Sequence, residues 1–235
     1  MEITKQYEEK EKDFQKMDKN VMMTFYITYV FLLTTGTITF IEAMRTGDSK
    51  VRNILNLETC ISVVAAYFYG QFVDRIKTEG LDYKKINETR YTDWMITTPI
   101  MLLVLCLALV YNSKTELAFS KYLLILLLNF GMIMTGYLGE IGAYFTSKRS
   151  ANIVGFLFFA GLFGYIYKEF LYKKYNFDNA LIYYSFLILW TFYGVFYEME
   201  EGFRNVAYNI LDLFSKCFVG IFFWAYFAGV FTLKE

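Results

Sequence analysis

Seven apolar stretches, each close to twenty residues, alternate with short charged segments along this 235-residue sequence. They cover roughly residues 21–44, 54–74, 91–111, 118–140, 150–172, 180–199 and 205–231. A helix rises about 1.5 Å per residue, so about 20 apolar residues cross a hydrocarbon layer of about 30 Å. Charges collect between the stretches, at 45–52, 74–90, 168–178 and 198–204. The expected fold is therefore an all-α membrane protein, a seven-transmembrane-helix bundle over residues 21–235. Residues 1–20 differ: just over half of them are charged and they lack the apolar core of a secretory signal. They read as a charged N-terminal leader, a polar helix or tail ahead of the first span.

Composition removes several function classes. The chain is 56% hydrophobic, which is too apolar for disorder. Lys+Arg and Asp+Glu are equal at 23 each, so there is no basic excess to attract nucleic acid. There is no histidine, hence no His-ligated metal and no Ser-His or Cys-His pair. No metal site is expected. Cys60, Cys106 and Cys217 lie inside apolar stretches and read as small buried hydrophobes.

Ionisable residues inside a membrane span are costly, so each is a functional candidate. Asp93 follows Arg90 by three residues at the start of the third stretch. Asp212 and Lys216 stand four apart in the seventh and share a helical face. That spacing fits a structural ion pair between helices. It also fits a buried lysine whose amine is available for a Schiff base, with two carboxylates and an arginine as its counterion set. Glu58 lies early in the second stretch, and Asn129 interrupts the fourth.

The run Arg90-Tyr91-Thr92-Asp93-Trp94-Met95-Ile96-Thr97-Thr98-Pro99 resembles the third helix of microbial (type 1) rhodopsins. Asp212-Leu213-Phe214-Ser215-Lys216 resembles their seventh helix, and Trp190-Thr191-Phe192-Tyr193 with Tyr197 their ring-packing aromatic set. Met132 and Gly136 fit positions that line the ring. The segment ETCISVVAAYFYGQF at 58–72 is most similar to rhodopsins of large algal viruses.

The resemblance implies a retinal-binding photoreceptor rather than an enzyme, with all-trans retinal bound to Lys216 as a Schiff base. Trp94 and Trp190 would sandwich the polyene, Tyr91 and Tyr193 would close the pocket, and Thr98, Met132, Gly136 and Tyr197 would complete it. Asp93 and Asp212 would be the counterions. Arg90 would keep both ionised, and Thr97 would hydrogen-bond the Asp93 carboxylate from the same face. An integral multi-pass protein of the lipid bilayer is implied, with the N-terminus extracellular and the C-terminus cytoplasmic. Counting loops gives twelve Lys+Arg on the N-terminal side against nine on the other, no usable bias of its own. Trimers and pentamers are common among such proteins, so a homo-oligomer falls within the resemblance.

Departures from the family pattern bear on transport. Val104 stands eleven residues after Asp93, where outward proton pumps usually carry a carboxylic proton donor, and Gly194 stands where they commonly have proline. Asn129 would face Thr98 as a neutral version of a Thr–Asp pair. Glu58, Ser62, Ala65 and Tyr69 follow i, i+4, i+7, i+11 spacing and form one helical stripe. If Tyr69 turns toward the chromophore, Glu58 faces inward; if Tyr67 does, Glu58 swings half a turn away or snorkels to water.

Glu58, Ser62, Tyr69, Asn129 and Asn209 would then line a polar path for transported cations or protons. The leading expectation is a light-gated cation channel that also carries protons. The alternative is a light-driven outward proton pump with Glu58 as a displaced donor, and a photosensor with a separate partner comes third. The acidic turn at Glu198, Glu200 and Glu201 reads as solvated.

Overall fold

In the computed structural model, residues 2–172 and 175–230 are described, with side chains from residue 19 onward. The helices are α1 (Glu2–Arg45), α2 (Ser49–Glu79), α3 (Tyr83–Asn112) and α4 (Phe119–Glu140). They continue with α5 (Lys148–Leu171), α6 (Phe177–Phe196) and α7 (Glu201–Phe227). Consecutive helices pack on one another and α1 closes the ring against α7. One face of the bundle, here face N, holds Lys19, the α2–α3, α4–α5 and α6–α7 loops. The opposite face, face C, holds the other three loops and the end of α7.

Through the charged leader, α1 runs unbroken from Glu2 into the first span. The character of its side chains to residue 18 lies outside the described residues. Among the described residues, six helices are long and apolar enough to cross a membrane, with Lys19–Arg45 as the spanning part of α1. The exception is α2, and its reason is local: it carries Glu58 and Ser62, at 2% and 0% exposure, on its inner face. Its polarity is turned into the bundle while Tyr67 and Val63 face outward.

The loops are closed by caps that satisfy free helix-end N–H groups. Asp48 accepts from Lys50 and Val51 at α2, and Asp82 from Lys85 at α3. Ser147 and Ser150 form a reciprocal capping box at α5, and Asn176 caps α6. Glu200 accepts from the N–H groups of Gly202 and Phe203 at the start of α7. These backbone donors hold the Glu200 carboxyl below its ordinary range. The acidic turn is thus more than solvated charge, since Glu198 also accepts from Asn152.

Large apolar side chains such as Leu157, Tyr67 and Leu127 cover the outside, as lipid contact requires. Lipid tails are as apolar as leucine, so burial between helices removes little surface from an unfavourable solvent. Close packing and interhelical hydrogen bonds, about 0.6–2 kcal/mol each, hold the bundle instead. Gly139 lets α4 approach Ala151 of α5, and Gly194 leaves room for the Phe156 ring.

Two helices contain a π-helical turn, Tyr167–Leu171 in α5 and Leu213–Phe218 in α7. The second contains Lys216. Such wide turns insert a residue into a helix and recur at functional sites. No residue spacing announced either one.

Candidate functional site

At mid-bundle the Lys216 side chain, 1% exposed, ends between two carboxylates on two helices. Its Nζ donates to Asp93 Oδ2 at 2.7 Å and to Asp212 Oδ2 at 3.3 Å. Both acids are fully buried. The two are nevertheless in different states of satisfaction. Asp212 also accepts from Tyr69 at 2.8 Å and Tyr193 at 2.5 Å, and Arg90 Nη1 lies 3.7 Å away. Asp93 has Lys216 alone, and its Oδ1 is buried with no hydrogen-bond partner.

Two expectations need correction here. Thr97 donates to the backbone carbonyl of Asp93 at 2.9 Å, not to its carboxylate. A threonine within a helix reaches the i−4 carbonyl readily, and that bond takes its only proton. Arg90 contacts Asp212 but makes no ion pair with Asp93, because its guanidinium is drawn toward α7.

On the face-N side, Arg90 anchors a polar network. It donates to Tyr69 at 3.1 Å, Asn209 at 2.8 Å and Asn205 at 3.2 Å. The Phe25, Tyr69, Phe72 and Tyr208 rings surround the guanidinium within 5.3–5.7 Å. Beyond it Asn205 donates to Asn87, and Asn87 to Glu140. Arg204 at 2.9 Å and Lys148 at 2.7 Å pair with Glu140. Sequence reasoning missed Asn87, Glu140 and Asn205, although residues 205, 209, 212 and 216 repeat at one-face spacing and lead from Lys216 to Asn205.

Beside Lys216 a cavity opens between α3, α4, α5, α6 and α7. Trp94, Thr98, Met132, Gly136, Trp190, Tyr193 and Tyr197 all line it, as expected, together with Tyr91. A side chain at 136 would collide with the Tyr91 hydroxyl, so glycine is required there. Asn152, Gly155, Phe156 and Phe159 supply a wall from α5 that the sequence did not reveal. Tyr208 and Ser215 of α7 also line it unforeseen, and Ser215 is bonded to Tyr193 at 2.8 Å.

The expected polar path is only partly assembled. Tyr69 and Asn209 join the Arg90 network, and Tyr67 is 63% exposed, so the Tyr69 phasing of α2 holds. Asn129 does not join it: it donates to Thr98 at 2.9 Å across the α3–α4 contact. Glu58 lies toward face C, its Oε2 beside Gly220 of α7, where an added Cβ would stand 3.2 Å away. No side chain hydrogen-bonds it among the described residues, and Ser62 Oγ is likewise unpartnered. Around this level Ile54, Ile61, Val104, Leu105, Leu109 and Phe223 form one packed cluster, each 0–1% exposed.

A seven-helix membrane bundle with a lysine caged by two acids at the end of an aromatic cavity defines a class, the type 1 rhodopsin architecture. The family described as bacteriorhodopsin-like protein matches residues 20–230, and the chain belongs to that family. Its members bind retinal through a lysine and are photoreceptors, pumps or channels rather than enzymes.

Among solved structures, the viral rhodopsin OLPVRII is similar at 54% identity and TM-score 0.84, over 90% of this chain and 99% of that one. This agrees with the resemblance carried by residues 58–72. The proton-pumping rhodopsin AR2 of Acetabularia acetabulum shares the fold at 20% identity and TM-score 0.74, over 90% of this chain and 96% of that one. The green-light absorbing proteorhodopsin of Gamma-proteobacterium EBAC31A08 is 23% identical over 86% of this chain and 84% of its own length.

Proposed function

We propose that this protein binds all-trans retinal at Lys216 and uses light to move protons outward from face C to face N. Face N, with the N-terminus, is then extracellular and face C cytoplasmic. The residues fit the group: the only lysine end inside the bundle among the described residues meets a cavity lined by aromatic side chains. Trp94 and Trp190 would hold its polyene, and Met132, Gly136, Tyr193 and Tyr197 its sides. Retinal, when bound, supplies light absorption and an isomerisation that changes the surroundings of the amine nitrogen.

The carrying observation is the inequality of the two carboxylates. Asp212 already accepts from Tyr69, Tyr193 and Lys216, so its oxygens are occupied. Asp93, with one donor and an open Oδ1, takes the proton from Lys216 Nζ. The replacement proton comes from Glu58 on the far side. A buried acid without a hydrogen-bonding partner retains its proton at rest, since an unpaired buried anion costs far more. The packed apolar cluster around that level blocks ion leakage while Glu58 waits for water from face C.

The light-gated cation channel, the leading expectation from the sequence, becomes the second reading, favoured by one observation. Polar groups run without a break from Lys216 to Glu140, and Arg90 Nε and Ser62 Oγ are buried without partners, as water-lined groups would be. Voltage clamp under illumination separates the two. A pump gives photocurrent that stays outward at every accessible voltage. Reversal near the cation equilibrium potential would replace the pump with the channel, and no photocurrent would leave a photosensor.

A further inference from the structure

Between the Lys216 cage and face N, two neutral amides stand in line, and their direction is fixed from both ends. Arginine has only donors, so Asn205 presents its oxygen to Arg90 Nη2 at 3.2 Å. That leaves the Asn205 nitrogen to donate onward to Asn87 Oδ1 at 3.1 Å. The Asn87 nitrogen in turn donates to Glu140 Oε1 at 2.8 Å. An ionised carboxylate only accepts, so it terminates the row. Every amide dipole points the same way, from a cation to an anion, and neither end can be reversed. Amides in such a row hand on orientation and field, not protons.

We propose that Glu140 is a positioning residue for Arg90, acting through Asn87 and Asn205, and so sets the charge balance felt at Lys216. This rests on the retinal reading above. Glu140 is itself fixed from three other helices. It is 8% exposed, with Lys148 of α5 on Oε2, and Arg204 of α7 shares its Oε1 with Asn87 of α3. Glu201 faces Arg204 from the outside at 3.6 Å, and Arg204 also holds the Tyr197 carbonyl. Held by two cations, Lys148 and Arg204, the carboxylate is an anchor for the row. Arg90 in turn faces Asp212, Tyr69 and Asn209 at its inner end.

The test compares Glu140→Leu, Glu140→Gln, Asn205→Leu and the double Glu140→Leu/Asn205→Leu variant with the wild type. With retinal bound, the pH at which acid changes the pigment colour is expected to rise by about one unit in both leucine variants. Gln keeps an acceptor at the end of the row and restores at least half of that shift. The double variant shifts no further than the larger single, because the two act in one chain. A merely structural clamp would lower the melting temperature and leave the colour titration in place; that result, or additive shifts, overturns the proposal. Asn205→Leu leaves all the Glu140 ion pairs intact and serves if the Glu140 variants fail to fold. In retinal-free protein, the Arg90 guanidinium ¹⁵N signals should move in the same variants, and unmoved signals would also overturn it. If the wild type forms no pigment, the retinal reading falls while the Arg90 signals still decide the anchor.

Discussion

The two halves of the bundle treat charge in opposite ways. Toward face N the buried charges are shared: Arg90, Asp212, Arg204 and Glu140 each meet several partners although Arg90 and Arg204 are 1% exposed. Toward face C the one fully buried acid among the described residues is Glu58, beside Gly220 and close to the apolar cluster, with no side chain hydrogen-bonded to it there. A buried ion stripped of one partner costs about 3–5 kcal/mol, so a shared network is stiff. A lone neutral acid is held by nothing comparable and changes its proton whenever water reaches it. The first half can fix a field; the second can time a delivery.

Substitutions that cross this division rank by expected effect. Lys216→Ala removes the attachment nitrogen and should abolish covalent, coloured pigment entirely; retained covalent retinal would overturn the site. Next is Asp93→Asn, expected to shift absorption to the red and to slow the first proton transfer by at least about a hundredfold, the low end of what a positioned acid or base contributes. Time-resolved absorption checks it, and an unchanged spectrum would remove Asp93 from its role.

Glu58→Gln should slow recovery of the pigment by roughly a hundredfold while leaving its colour nearly unchanged, because the site lies away from the cage. A large colour change there would erase the contrast between the halves. The smallest effect belongs to the rim of face N. Glu200→Ala removes the α7 cap at an exposed site and should cost about 0.5 kcal/mol. The backbone N–H groups of Gly202 and Phe203 hold this carboxyl below its ordinary value of 4.5. Its contribution is therefore present above 4.5 and is lost as pH falls through the lower folded value. Melting curves of the two proteins should converge in acid; a constant gap would place the cap's effect elsewhere.

Much of the centre was legible because its residue types are out of place in a membrane. Asp93, Asp212, Lys216, Arg90 and Glu58 stand out against apolar neighbours, and helical spacing put Tyr69 and Glu58 on one stripe. Glu140, Asn87 and Arg204 lie at helix ends, where charge normally means solvent, and only the neighbouring helices bury them. Thr97 was misread since spacing gives a side but not an acceptor. Asn129 does face Thr98 as its position suggested, and that same contact keeps it off the polar path. The α5 wall is apolar and glycine-rich like any lipid-packed span, so nothing marked it.

One consequence follows from the wide turn at Leu213–Phe218. In a regular helix Asp212 and Gly220, eight residues apart, would point about 80° away from each other. A single inserted residue takes up about 100° of that sweep and brings them to within about 20°. The surplus residue therefore works as a phase corrector. It turns Asp212 of the cage and the notch that receives Glu58 toward the same side of α7, so that one face of a single helix serves both the cage and the distant acid.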